Sequence, residues 1–283
     1  MVSIPFTKMH GAGNDYVYVD CFRTANLERP ADLAIKIADR HKGVGGDGLI
    51  LICPSDKADA RMRMFNADGS EAEMCGNGIR CVAKYLFDHD LVRKEQMRIE
   101  TKAGTLLLEL VVVDGVAQKV RVDMGEPIFA ADKIPTTFSR SPVIHQEIEI
   151  EGRHFQVNCL SMGNPHCVIF VDELTDDLVL GWGPKIERSQ FFPARVNVEF
   201  VKVVSPRELI QRTWERGSGE TLACGTGASA VCVAGVLTNQ SERRVLIHLS
   251  GGDLELQWDE TNNHVYKTGP AVEVFEGIWR GNW

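Results

Sequence analysis

One tetrapeptide pattern occurs twice in the chain, as Cys75-Gly-Asn-Gly78 and Cys224-Gly-Thr-Gly227, 149 residues apart, and each copy opens a stretch with helical spacing. The same offset lays Arg63-Met-Phe-Asn66 over Arg212-Thr-Trp-Glu215, and Glu71 over Glu220. At an offset of 150, Gly13-Asn14 meets Gly163-Asn164, each just before a run that ends in an aspartate, Asp20 or Asp172. Asp47 at the head of Leu49-Ile-Leu-Ile52 likewise meets Asn197 at the head of Phe200-Val-Lys-Val203. Blocks that keep their order at a nearly constant offset require two halves of like fold. A pseudo-two-fold axis is expected to relate them and to set equivalent residues face to face across a cleft, where small-molecule sites are often found.

Alternating runs at 15–20, 61–65 and 119–123, bounded by Gly, Asn and Asp, read as strands. Helical spacing is confined to 31–41, 78–91 and 227–237, so strands dominate and the class is α+β. The least patterned segment, 127–142, holds three prolines and is expected to lie near the link between halves. The halves are drawn as 1–122 with 268–283, carrying Cys75, and 123–267, carrying Cys224. A formal charge of -8 and no run of five basic residues argue against a nucleic-acid partner. The longest apolar run, 106–113, includes Glu109 and falls far short of the ~20 residues that cross a bilayer, so no membrane partner is expected. The first ten residues lack the basic start and apolar core of a secretory signal, so a cytoplasmic location is expected. There its eight cysteines are expected as thiols; no two have the spacing of a zinc knuckle, so no metal is expected. Cys21, Cys53, Cys81, Cys159, Cys167 and Cys232 lack the repeated Gly-rich context and read as core. Trp279 and Trp283 near the C-terminus suggest packing or a dimer contact.

A cysteine at a helix start sits where the helix end carries roughly half a positive charge, and the following Gly-x-Gly leaves backbone N–H groups open to an anion. That environment favours the thiolate, the form that acts as a base. Two such groups, one protonated and one not, suit the inversion of a carbon that bears an acidic hydrogen: one removes a proton from one face and the other supplies a proton to the opposite face. General acid–base catalysis contributes only ~10²–10⁴-fold, so an amino-acid α-proton needs further help. The helix openings Gly76-Asn77 and Gly225-Thr226 can give it by stabilising charge on the substrate carboxylate. No Schiff-base lysine motif is evident, and no cofactor is inferred.

Several blocks carry a resemblance: residues 9–15, 65–71, 75–78, 163–166, 195–197 and 215–227 together resemble the diaminopimelate epimerases, from about residue 6 to about 271. The resemblance implies a cofactor-independent epimerase that interconverts LL- and meso-diaminopimelate in lysine and cell-wall precursor synthesis. It also implies a homodimer and two domains, each a sheet curled around a central helix. Cys75 and Cys224 match the catalytic pair. Asn14, Asn66, Asn164, Asn197, Glu215 and Arg216 match substrate-binding positions, and Gly76, Asn77, Gly225 and Thr226 match the donors around the reacting carboxylate. His166 and Glu215 match residues that tune the cysteines. The chain departs at Gly48, where some members carry Gln. The chemistry of the residues agrees: Asn both donates and accepts, Arg216 offers a carboxylate fork, and Glu215 accepts from an ammonium.

Three other readings compete. Gly43-Val-Gly-Gly-Asp-Gly48 has dinucleotide-binding spacing, but it follows a helix and precedes a strand, the reverse of the order that places phosphate on a helix N-terminus. A proline or hydroxyproline racemase would keep the cysteines, but its substrate has no distal charges for Glu215 and Arg216 to meet. A thiol sensor would join Cys75 and Cys224 as a disulfide, which would silence the acid–base pair.

Overall fold

The computed structural model describes residues 3–24 and 27–281; Trp283 lies outside them. By internal contacts the chain divides into unit 1, Met1–Val122 with Gly269–Trp283, and unit 2, Asp123–Thr268.

Unit 1 begins with the hairpin of β1 (Ile4–Gly11) and β2 (Asn14–Asp20). Its turn residues Ala12 and Gly13 have φ of 54° and 81°, the doubly positive geometry whose twist matches that of the strands. Helix α1 (Pro30–Ile37) starts on a proline, whose fixed φ suits the first turn. It ends short of the expected 31–41 stretch because the Asp39 carboxylate accepts the His41 and Lys42 N–H groups at 2.8 and 2.9 Å and turns the chain. Strand β3 (Gly48–Cys53) runs parallel to β2 and antiparallel to β4 (Ala60–Asn66). Then come β5 (Glu71–Ala72), α2 (Gly78–Asp88), β6 (Gln96–Thr101), β7 (Gly104–Val113) and β8 (Val116–Asp123). Strand β3 is buried on both faces: Leu49 and Leu51 join Leu33, Ala34 and Ile37 of α1, while Ile50 lies against Gly78 of α2.

Unit 2 contains β9 (Val143–Ile150), β10 (Arg153–Ser161) and β11 (Pro165–Phe170), then a π-helical turn (Asp177–Trp182) leading into α3 (Gly183–Glu187). Next are β12 (Asn197–Ser205), β13 (Glu208–Glu215), β14 (Gly219–Thr221), α4 (Gly225–Leu237), β15 (Arg244–Leu249), β16 (Gly252–Trp258) and β17 (Val265–Pro270), whose last two residues belong to unit 1. The last strand, β18 (Val272–Trp279), returns to unit 1 and pairs with β1. The unpatterned 127–142 segment packs within unit 2, where Ile128 and Ser161 exchange both backbone hydrogen bonds at 2.9 Å.

The repeat seen in the sequence is a repeat of strand pairing. In unit 1, β2/β3 is parallel, β3/β4 and β4/β5 are antiparallel, and β4/β6 is parallel. In unit 2, β11/β12, β12/β13, β13/β14 and β13/β15 follow the same scheme. Each unit surrounds one helix. Ten consecutive residues of α2, 78–87, are buried, and α4 is buried at 225 and 227–235. Helix α4 is built mostly from Ala, Val, Gly and Cys, as an enclosed helix requires, and its buried Ser229 donates to the Gly225 carbonyl at 3.0 Å. Helix α2 buries Lys84, which is satisfied by Asp88 at 2.6 Å and the Ala117 carbonyl at 2.7 Å. The α+β class and the two repeated halves are borne out.

All eight cysteines are free thiols. Cys81, Cys159, Cys167 and Cys232 are core, as expected, but Cys21 and Cys53 are only partly buried, because they stand where parallel β2 and β3 run out toward solvent.

Candidate active site

In unit 1, Cys75 stands three residues before α2 and acts as its cap. The Gly78 N–H donates to Cys75 Sγ at 3.3 Å, and the Ile79 N–H to the Cys75 carbonyl at 3.0 Å. Asn14, placed at the head of β2 by the hairpin turn, donates from Nδ2 to Asp47 at 2.6 Å and so turns Oδ1 toward the thiol, which donates to it at 3.2 Å. Tyr16 flanks the same cysteine. Burial, with Cys75 and Asp47 close by, holds its phenol protonated far above the usual range. Fully buried Arg80 donates to the Gly76 carbonyl at 3.1 Å and to Asn77 Oδ1 at 3.0 Å, and so fixes the two residues after Cys75. Asn66 ends β4 half-buried and donates to Ser70 Oγ at 2.9 Å.

Unit 2 repeats the cap. The Gly227 N–H donates to Cys224 Sγ at 3.4 Å, and the Ala228 N–H to the Cys224 carbonyl at 2.9 Å. Cys224 is more buried than Cys75, with 5% exposure, and Thr226 Oγ1 lies 3.6 Å from its sulphur. Burial first, then the neighbouring Glu215 and Glu199 carboxyls, push the Cys224 thiol well above the ordinary thiol range. Burial also pushes Glu215 up, against hydrogen bonds from Thr221 and Cys224. His166 is fully buried, with Glu199 Oε1 at 2.7 Å from Nδ1 and Asn164 Oδ1 at 3.0 Å from Nε2.

Asn197 is buried and works on backbone. It donates to the Pro165 carbonyl at 2.9 Å and accepts the Arg216 N–H at 2.9 Å, which pins the 215–218 turn. Buried Glu187 holds the same turn by accepting the Gly217 N–H at 3.0 Å and the Trp214 indole N–H at 2.9 Å. Among the described residues the exposed Arg216 guanidinium has no partner. The repeated Arg–Glu pairs are ion pairs of identical length, Arg63–Glu71 and Arg212–Glu220 at 2.8 Å. Gly48 has no room for a side chain: a Cβ there would lie 2.0 Å from the Phe65 carbonyl oxygen.

Unit 1 thus gathers Asn14, Cys75, Gly76 and Asn77, and unit 2 gathers Asn164, His166, Asn197, Glu215, Cys224, Gly225 and Thr226. Tyr16, Asp47, Arg80, Glu187 and Glu199 were not anticipated. Tyr16 was within reach of the repeat, since Asn14-x-Tyr16 lies 150 residues from Asn164-x-His166. Glu199 also left a trace, as the one charge in the apolar run 198–201. Glu187 left none. Among the described residues one group of metal-capable side chains gathers, His89, Glu273 and Glu276, and it includes none of the residues around either cysteine.

The family model described as Diaminopimelate epimerase matches residues 6–130 and 158–274. The chain is 55% identical over 272 residues to a diaminopimelate epimerase of Acetivibrio thermocellus, covering 96% of this chain and 97% of that one. It is 49% identical over 272 residues to a diaminopimelate epimerase of Methanococcus maripaludis, covering 96% and 98%. Among solved structures, a PhzF-family phenazine biosynthesis protein of Bacillus anthracis superposes with a TM-score of 0.68 at 16% identity, covering 99% and 100%. A hydroxyproline epimerase of Agrobacterium vitis superposes with a TM-score of 0.66 at 16% identity, covering 98% and 91%. At that identity the likeness is one of fold.

Proposed function

The chain belongs to the diaminopimelate epimerase family, and on that premise we propose that Cys75 and Cys224 are the acid and base of its reaction, working without a cofactor. The enzyme is an isomerase of lysine biosynthesis whose substrate is the small molecule diaminopimelate. The observation that carries the mechanism is the repeated cap. Two thiols, one in each unit, accept the N–H of the glycine three residues on, at the opening of their own helix, at 3.3 and 3.4 Å. Each is thereby fixed at the positive end of a helix dipole.

One cysteine takes the α-proton as a thiolate and the other delivers its proton to the opposite face. The reverse reaction exchanges their roles. The carbanion's charge spreads onto the α-carboxylate, which the backbone N–H groups at Gly76-Asn77 and Gly225-Thr226 stabilise. Asn14, Asn66, Asn164 and Asn197 orient the amino and carboxylate groups. Arg216 and Glu215 receive the distal zwitterion: among the described residues the exposed guanidinium has no partner, and the Glu215 carboxyl, held by Thr221, lies toward Cys224. His166 and Glu215 set the proton affinity of Cys224. A substrate without distal charges would leave these groups unsatisfied, which favours diaminopimelate over proline.

The protein works in the cytoplasm as a homodimer. A dimer is supported by Val272, Val274, Phe275 and Ile278, which expose 39–56% of their surface along β18. No helix among the described residues is long and apolar enough to cross a membrane. The test of the mechanism is Cys75→Ala and Cys224→Ala in separate proteins. Each is expected to lose epimerisation with its far-UV spectrum intact, and a retained rate in either removes that cysteine from the mechanism.

A further inference from the structure

The two repeated cysteines have unlike surroundings, and the difference traces to one position. Ile50 of β3 and Glu199 of β12 are equivalent, 149 residues apart, and pair with the equivalent residues Met64 and Thr213. Each faces the glycine three residues after its cysteine. A Cβ on Gly78 would lie 2.6 Å from Ile50 Cδ1, and one on Gly227 would lie 2.7 Å from Glu199 Oε1. The Gly227 point is also 3.2 Å from Cys224 Sγ and 3.2 Å from Gln211 Nε2, so the carboxylate and the sulphur lie within about 6 Å of each other. Glu199 is fully buried, with one oxygen on His166 and the other, Oε2, unpartnered among the described residues; Gln211 Oε1 is unpartnered too. Burying a carboxylate with an unmet oxygen is costly, and the apolar residue at the equivalent position of unit 1 shows that the fold has no need of it.

We propose that Glu199 is a positioning residue of the epimerase reaction: it holds His166 and sets a carboxylate behind Gly227, close to the Cys224 sulphur, where unit 1 sets the apolar Ile50 behind Gly78. The inference rests on the two-cysteine reading. The titratable groups that face Cys224 are Glu215 from β13 and Glu199 from β12; His166 of β11 stands on Glu199 and near Glu215, and Cys167 of β11 also borders Glu199. Burial and both carboxylates act on Cys224 in the direction of the neutral thiol. A thiol that parts reluctantly with its proton stays loaded until a carbanion forms, and once deprotonated it is the stronger base. Cys75 has a buried cation, Arg80, on its own helix where unit 2 has Ser229.

The test is the rate of iodoacetamide alkylation of each cysteine against pH, read by peptide mass spectrometry. In the unaltered enzyme Cys224 is expected to reach half-maximal reactivity above the ordinary thiol range. A Cys224 midpoint within the ordinary thiol range overturns the proposal without any variant. Glu199→Gln keeps an acceptor for the His166 ring and removes the charge. Cys224 alkylation at pH 8 is then expected to rise roughly ten- to a hundredfold, the effect of one like charge at this range, while Cys75 is unchanged. The epimerase kcat should fall with KM little altered, and Glu199→Asp should restore the slow Cys224 profile. A folded Glu199→Gln enzyme whose Cys224 profile does not move overturns the proposal. Alkylation is read without turnover, so it stands apart from the loss of activity in Cys224→Ala on which the two-cysteine reading depends.

Discussion

Adding one methyl group at each repeated glycine separates the two cysteine sites. At Gly227 a Cβ would meet Glu199 Oε1 at 2.7 Å, Cys224 Sγ at 3.2 Å and Gln211 Nε2 at 3.2 Å. None can move freely, because the carboxylate holds His166 at 2.7 Å and the sulphur caps α4. Overpacking of this kind costs ~1–3 kcal/mol, and loosening a charged hydrogen bond adds ~1.5–3 kcal/mol at most. Replacing Gly by Ala in a helix returns ~1 kcal/mol. The net expectation for Gly227→Ala is a loss of about 1.5–5 kcal/mol, a fall in Tm of roughly 3–20 °C for a chain of this size. At Gly78 the nearest atom is the terminal methyl of Ile50 at 2.6 Å, which can rotate aside, and Cys75 Sγ is at an ordinary 3.5 Å. Gly78→Ala should therefore stay within ~1 kcal/mol of the unaltered protein. Calorimetric melts with epimerase assays on both variants give the comparison: Gly227→Ala should lose far more stability and rate. Equal melting and equal rates in the two would refute the claim that charge and thiol converge on Gly227.

Arg216→Met should lower kcat/KM about 10–100-fold, the loss of a charge-assisted fork, and move Tm by no more than ~1 °C, because the guanidinium is exposed and has no partner among the described residues; unchanged kinetics would refute the clamp. Glu215 has a carboxyl raised above its ordinary 4.5 by burial, so the folded state binds that proton more tightly than the unfolded one. Its contribution is complete below about pH 4.5 and is lost as pH rises through the folded value. Glu215→Gln should thus gain stability relative to the unaltered enzyme from pH 4.5 upward in denaturant titrations, and parallel curves would contradict the burial argument. Gly48→Ala should cost about 3 kcal/mol or more, since its Cβ would lie 2.0 Å from a backbone oxygen and only strand movement can relieve it; an unchanged melting temperature would show that β4 yields there.

The sequence revealed the architecture through the 149–150 offset, because duplicated strand pairing leaves equivalent residues at equivalent places: Arg63–Glu71 and Arg212–Glu220 are the same ion pair twice. Both cysteine caps were legible for the same reason. Helix ends were less so. The end of α1 is set by the Asp39 side chain rather than by apolar period, and the helical turn at 177–187 was hidden by Gly181, Gly183 and Pro184, which read as breakers. Glu199 was hard to read from the repeat because a repeat shows itself through likeness, and this position matters through its difference from Ile50. Glu187 was missed because a carboxylate that clasps a backbone N–H and an indole from another segment has no local signature. Asn197 was expected at the substrate, and its side chain is in large part spent on holding the Arg216 turn.

Proton bookkeeping at the inverted carbon tests the central claim most directly. LL-diaminopimelate is incubated with the reduced enzyme in heavy water, without added cofactor, and followed by proton NMR from the first turnovers. Two cysteines acting from opposite faces predict meso product that carries deuterium at the inverted α-carbon, while unreacted LL substrate keeps its protium. Meso product that retains the original proton, or rapid washout of the LL α-proton without inversion, would mean that a single base serves both faces and would contradict the pairing of Cys75 with Cys224.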